Sequence, residues 1–208
     1  MCSDALDQSG FLPKEPGKVR IERFIEKRFN VHVIYESLGP HVLGFTEFGP
    51  NGVEAVHIAA PTSGSQAEDR RISSTLAHEG GHGLMHAHLF ALALDRRNLF
   101  EKDPDVTQSR VLCRDQSQAT APRTTYDGRW WELQANRAIG AFLMPKEIFL
   151  RFMQPFLQPQ GSLGLFTLQH DRNDAIMAAA ETFDVNPAVA RIRVNAFFPD
   201  TNGSQLTL

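Results

Sequence analysis

Cysteine is almost missing from this chain: Cys2 and Cys113 are the only two in 208 residues. A disulfide framework is thereby excluded, and either thiol is left to packing, metal binding or redox chemistry. Long apolar runs are missing too. The longest candidate, Ala138 to Met144, is seven residues with Gly140 inside, against the ~18 that a membrane span needs. Basic excess is also lacking. The 21 Lys and Arg against 24 Asp and Glu leave a formal net charge of −3, so nothing in the composition announces a nucleic-acid surface. Asp4 and Asp7 stand where a secretion signal carries its basic region, and no apolar stretch follows; the chain reads as cytoplasmic. What is present is ordinary for a soluble globular protein: 42% apolar and 22% charged residues, 15 Gly and 12 Pro. The length predicts one domain, or one with a small appendage.

Residues 1–16 are polar with two prolines and read as a flexible terminus. From Lys18 to Phe29 apolar residues recur at helical spacing. Val31–Tyr35, Val42–Phe48 and Val53–Ala60 read as strands, the last two joined through Asn51-Gly52, a strong hairpin signal. Pro61–Gln66 is a loop, and a helix is expected from about Asp69 to His88. Residues 95–129 are charged and polar, with little periodicity beyond Arg110-Val111-Leu112-Cys113. A connection of that length is uncommon in a compact domain and is usually functional or mobile. Helices are expected again at Trp130–Met144, Lys146–Met153, Asp174–Phe183 and Pro187–Ala196.

The informative stretch is Thr75-Leu76-Ala77-His78-Glu79-Gly80-Gly81-His82-Gly83-Leu84-Met85-His86. His78 and His82, four apart, share one face of a helix, one turn from each other. Two imidazoles so placed can hold one Zn²⁺ at about 2.0–2.1 Å each. Glu79 lies about 100° round the helix, near the ion without ligating it, where a carboxylate can accept a proton from water. The bland alternative is a helix that happens to carry His and Glu, since the five-residue pattern alone recurs by chance. Against it, Gly80, Gly81 and Gly83 each weaken a helix by about 1 kcal/mol relative to Ala, so something other than helix stability selects them.

A catalytic zinc needs a third protein ligand, and two candidates exist. His88 falls where the third His of His-Glu-x-x-His-x-x-Gly-x-x-His enzymes stands. Met85 occupies the position of their helix-breaking Gly, however, and an unbroken helix carries His88 about 100° away from the His78/His82 face. The other candidate is Glu132, with Asn136 one turn on and able to hydrogen-bond a ligand imidazole. A solvated Glu on an amphipathic helix is the default for such a residue, but Glu132 stands among Trp131, Leu133 and Ala135.

Thr-Leu-Ala-His-Glu-x-Gly-His-x-Leu-x-His, followed by Glu-x-x-Ala-Asn-x-x-x-x-Phe-Leu-Met-Pro, resembles the ImmA/IrrE family of zinc metallopeptidases over about residues 18–200. The resemblance implies zinc ligands at His78, His82 and Glu132 and the catalytic acid/base at Glu79. It also implies an intracellular endopeptidase whose substrate is a separately encoded helix-turn-helix repressor, cleaved to derepress genes. Larger residues are common in the family where Gly80 and Gly83 stand. The 50 positions from His82 to Glu132 exceed the family's usual spacing, which makes 95–129 an insertion.

The expected architecture is α+β: a small antiparallel sheet packed on a helical, zincin-like core with the metal between two helices. A peptidase domain would span 17–170, and 171–208 would form a helical segment that closes the fold. Ala178–Ile192 is similar to a helix-turn-helix, with Ala180, Val185 and Ile192 as packing positions and Arg191 and Arg193 following. Without a basic stripe, direct DNA binding is not expected. His86, one turn beyond His82, reads as support for the site or as packing. Arg123, Tyr126 and His170 are candidates for stabilising an oxyanion, and the residues alone do not choose among them. Cys113, within the insertion, can close a zinc's open position at about 2.3 Å; a buried apolar plug is the stronger reading. Two other functional classes fit the same residues: a non-catalytic DNA- or protein-binding regulator, and an antitoxin-like partner.

Overall fold

A computed structural model describes residues 1–89, 109–114, 130–160, 165–168 and 172–199. The class is α+β, as the patterning predicts. Strands β1 (Val33–Glu36), β2 (Val42–Gly49), β3 (Gly52–Ala59) and β4 (Ser109–Arg114) form one sheet in the order β1-β3-β2-β4. The Asn51-Gly52 hairpin is present: β2 and β3 run antiparallel, with Gly49 opposite Gly52. Gly52 has φ 117°, a conformation open to glycine and resisted by other residues.

The sheet is mixed, not antiparallel throughout. β1 runs parallel to β3, pairing Val33 with Val56 and Glu36 with Ala59. Burial accounts for the order. β3 turns Val56 and Ile58 into the core, whereas β1 has Ile34 and Tyr35 exposed. The more apolar strand therefore takes an interior position and β1 an edge. β4 lies inside the segment 95–129 and pairs with β2 from Val42–Arg114 to Phe48–Ser109. A second, two-stranded hairpin, β5 (Leu157–Gln160) with β6 (Leu165–Leu168), was hidden in the sequence by Pro155 and Pro159.

The N-terminus departs from expectation as well. Residues 2–8 form a helix, α1 (Cys2–Gln8), with Cys2, Ala5 and Leu6 buried. Spaced three and four apart, these residues make a short apolar stripe that burial rewards, which outweighs the polar residues between them. α2 (Ile21–Phe29) buries Ile21, Phe24 and Ile25 and ends on Asn30 in the left-handed region, φ 56°. The long helix α3 (Gln66–Met85) starts ahead of Asp69 because Ser65 caps it, its side chain accepting from the Glu68 N–H.

Glu68 secures that start. Its carboxylate accepts from the backbone N–H groups of Thr62, Ser63 and Gly64 at 2.8–2.9 Å, and from the Thr62 and Ser63 hydroxyls at 3.0 Å. These donors draw its pKa down to about 2, against an ordinary 4.5. A carboxyl depressed by folding stabilises the native state fully above its unfolded pKa, and that contribution fades as pH falls toward the folded value. Glu68→Gln should therefore lower the unfolding midpoint by a constant amount above about pH 5. Thermal melts should show the gap to wild type closing between pH 4.5 and 2; a gap that does not change over that range would contradict the role.

Helices α4 (Trp130–Leu143), α5 (Lys146–Met153), α6 (Arg172–Phe183) and α7 (Pro187–Phe197) complete the described core. Ala180 and Val185 are fully buried, as the helix-turn-helix likeness requires, but Ile192 is 68% exposed and does not pack inward. Between α6 and α7, Asp184 adopts φ 50° and accepts from Lys18 Nζ at 2.7 Å and Arg70 Nε at 2.9 Å. Arg193 donates twice to the Met144 carbonyl, at 3.1 and 2.8 Å, and lies over the Phe197 ring. Burial lowers its pKa to about 10. The C-terminal pair is thus tied to α3 and to the end of α4, and one of the two arginines once available for DNA is committed internally.

Candidate metal centre

α3 and α4 lie antiparallel: His86 touches Trp130 and Gln134 at the start of α4, while Gly80 faces Phe142 near its end. Their approach depends on Gly81, where a Cβ would stand 2.9 Å from Ala138 Cβ and 3.3 Å from Ala135 Cα. Gly83 is needed for packing on another side, since a Cβ there would meet Phe29 at 2.7 Å and Val53 at 2.9 Å. Gly80 has no such constraint; its nearest neighbour is Ile25 at 3.4 Å. Two of the three glycines are thus chosen by close packing.

His78, Glu79, His82 and His86 are all buried. His78 Nε2 and His82 Nε2 are 3.0 Å apart, and Glu132 Oε2 is 3.4 Å from the first and 3.7 Å from the second. Three atoms held about 2.0–2.1 Å from one ion at tetrahedral angles stand about 3.3–3.4 Å from one another, so the observed triangle has the size of a metal's coordination face. His78, His82 and Glu132 lie close enough to hold a metal ion, and they are the only such group among the described residues.

The outer ring nitrogens set the direction of the inner ones. His78 Nδ1–H donates to Asn136 Oδ1 at 3.1 Å. His86 Nε2–H donates to Gln134 Oε1 at 3.0 Å, which leaves His86 Nδ1 to accept from His82 Nδ1–H at 3.1 Å. Both Nε2 lone pairs then face each other and the carboxylate, an arrangement that calls for a cation between them.

The charges agree. Burial opposes ionising His78, but Glu132 and Glu79 outweigh it and raise its pKa. Burial would raise the pKa of Glu132, yet its two imidazole partners hold it well below the usual carboxylate range. Burial pushes His82 down, with Glu132 only partly offsetting it. Burial also lowers His86, keeping it neutral and fit for relaying a hydrogen bond. Glu79 is fully buried beside the triangle, and that burial raises its pKa to about 7. Its Oε2 accepts from Thr46 Oγ1 at 2.6 Å, while Oε1 has no hydrogen-bond partner among the described residues.

The expected residues sort cleanly. His78, His82 and Glu132 meet; Glu79, Asn136 and His86 surround them. His88 is exposed and outside the cluster. Cys113 sits on β4, its Cα paired with that of Gly44, and its side chain lies outside the described residues, as do Arg123, Tyr126 and His170. Thr46 and Gln134 were missed by sequence reasoning. Thr46 had a faint signal, a hydroxyl on an alternating apolar strand; Gln134, between Glu132 and Asn136, had none. The chain matches no protein-family model and no curated protein sequence. No helix among the described residues is long and apolar enough to cross a membrane.

Proposed function

We propose that the chain is a zinc-dependent endopeptidase of ImmA/IrrE type, with a zincin-like core, whose substrate is a separately encoded helix-turn-helix repressor. The observation that carries the reading is the triangle of His78 Nε2, His82 Nε2 and Glu132 Oε2 with a buried, half-satisfied Glu79 next to it. Two imidazoles and one carboxylate are a donor set suited to zinc in a catalytic site, with a coordination position left over. Bound there, zinc supplies Lewis acidity, which makes water acidic near neutral pH and polarises a scissile carbonyl.

The chain's own residues do the rest. Asn136 and His86 orient the two imidazoles. Glu79, its Oε2 held by Thr46, accepts a proton from the attacking water on Oε1 and returns it to the leaving amine. The repressor as substrate rests on the motif resemblance and on a chain with no basic excess and an internally committed Arg193.

The test is incubation of the zinc-loaded protein with a repressor encoded beside it. One or a few cleavages at an exposed segment are expected. Glu79→Gln should keep its zinc and lose about 10²–10⁴-fold in rate. Cleavage by Glu79→Gln at the wild-type rate would overturn the mechanism, and indiscriminate digestion of unfolded proteins would overturn the substrate.

A further inference from the structure

We infer that Thr46 is a positioning residue for Glu79, an inference that rests on the proton-carrying role assigned to that carboxylate. The register between β2 and α3 places it. Gly44 lies so close to α3 that a Cβ would meet the Thr75 methyl at 2.8 Å. Two residues along a strand advance about 6.6–6.8 Å, and four along a helix about 6 Å. The contact at Gly44 and Thr75 therefore brings Thr46 opposite Glu79. The hydroxyl and carboxylate meet at 2.6 Å, with both residues fully buried. β2 holds Thr46 in mid-sheet between Val56 of β3 and Val111 of β4, so the donor cannot drift.

A carboxylate on a helix has free rotation about its terminal bond. Fixing Oε2 from the sheet removes that freedom and leaves Oε1 as the unsatisfied acceptor. A buried acceptor with no partner is uncommon in a folded core. Here Oε2 is tied down by a donor on a different element, while Oε1, on the residue next to His78, finds no hydrogen-bond partner among the described residues. A valine would fill the same volume but leave Oε2 unpaired as well, freeing the carboxylate to turn.

The test uses the full chain loaded with Co²⁺, and acetohydroxamic acid as the probe. This chelator carries a hydroxyl proton that needs a carboxylate acceptor beside the metal, and its binding is read from the cobalt visible spectrum. Thr46→Val should bind the probe about tenfold more weakly with unchanged Co²⁺ affinity, and Thr46→Ser should restore binding to within about threefold of wild type. Glu79→Gln gives the reference for losing the acceptor outright. If Glu79→Gln weakens the probe while Thr46→Val binds it like wild type, Thr46 is packing and the positioning role fails alone. Unchanged binding in Glu79→Gln itself would remove the role of Glu79, and that of Thr46 with it. Unfolding midpoints of the two threonine variants establish that both are folded.

Discussion

Zinc affinity should fall by more than a hundredfold when His78, His82 or Glu132 is replaced by alanine, and should not change in His88→Ala. The first three residues supply the triangle of donor atoms 3.0, 3.4 and 3.7 Å apart. Removing any one leaves only two protein ligands for the ion, too few for a closed coordination face. His88 is exposed, on the stretch following α3, and contributes no atom to the cluster. Partners of the ligands should matter less: Asn136→Ala and His86→Phe each leave an imidazole unoriented, and such losses weaken a metal about 10–100-fold. Competition against a chromophoric chelator measures the whole series. Normal affinity in Glu132→Ala together with collapse in His88→Ala would mean that the third ligand has been assigned to the wrong helix.

The second large effect comes from a residue that touches no metal. Gly81→Ala inserts a methyl where Ala138 Cβ is 2.9 Å away and the α4 backbone 3.3 Å. Overpacking of this kind costs about 1–3 kcal/mol, against about 1 kcal/mol regained in helix propensity. The functional consequence should be larger than the stability change, because relieving the clash separates α3 from α4, and Glu132 from the two histidines with it. Zinc affinity should drop at least tenfold in Gly81→Ala and recover in Gly81→Ala/Ala138→Gly, which restores the missing volume from the other side. Gly80→Ala is the control: its new methyl finds ordinary van der Waals space, so it should raise stability by up to about 1 kcal/mol and leave the metal alone. Equal affinities in all three proteins would show that the helix spacing does not govern the site.

Local periodicity made much of this molecule readable. The 3.6-residue repeat of α2, α3 and α4 and the Asn51-Gly52 turn depend on neighbours in sequence, and so do the His78/His82 spacing and the Glu132/Asn136 spacing. Each is a short-range consequence of backbone geometry, and each is found, though α3 begins at Gln66 and ends at Met85, with His86 as its C-cap, where a run from Asp69 to His88 was expected. The antiparallel sheet was the wrong expectation because strand order is not a local property: the chain reverses after β1 and again at Asn51-Gly52, so β3, once inserted between β1 and β2, runs parallel to β1. The N-terminal residues were misread for a related reason, as Cys2, Ala5 and Leu6 form too short a stripe to signal a helix until a core is there to cover it.

The site divides along the same line. The three residues able to hold a metal ion, and Asn136 behind one of them, are written in two helical motifs, because four-residue spacing puts His78 with His82, and Glu132 with Asn136, on one face; Glu79 follows from its place next to His78. Thr46 and Gln134 reach the site only through packing across 33 and 48 residues of chain, from Glu79 and His86 respectively. Nothing in β2 marks Thr46 as a partner of α3; the close approach at Gly44 does. Nothing in α4 marks Gln134 as the acceptor that sets the His86 tautomer, and through it that of His82; the antiparallel docking at Gly81 does. Residue chemistry and helical pitch choose which atoms can bind a metal. The separation of α3 from α4, and the register of α3 on the sheet, decide whether those atoms meet, because contact distances between elements depend on side-chain volumes that only the packed core brings together.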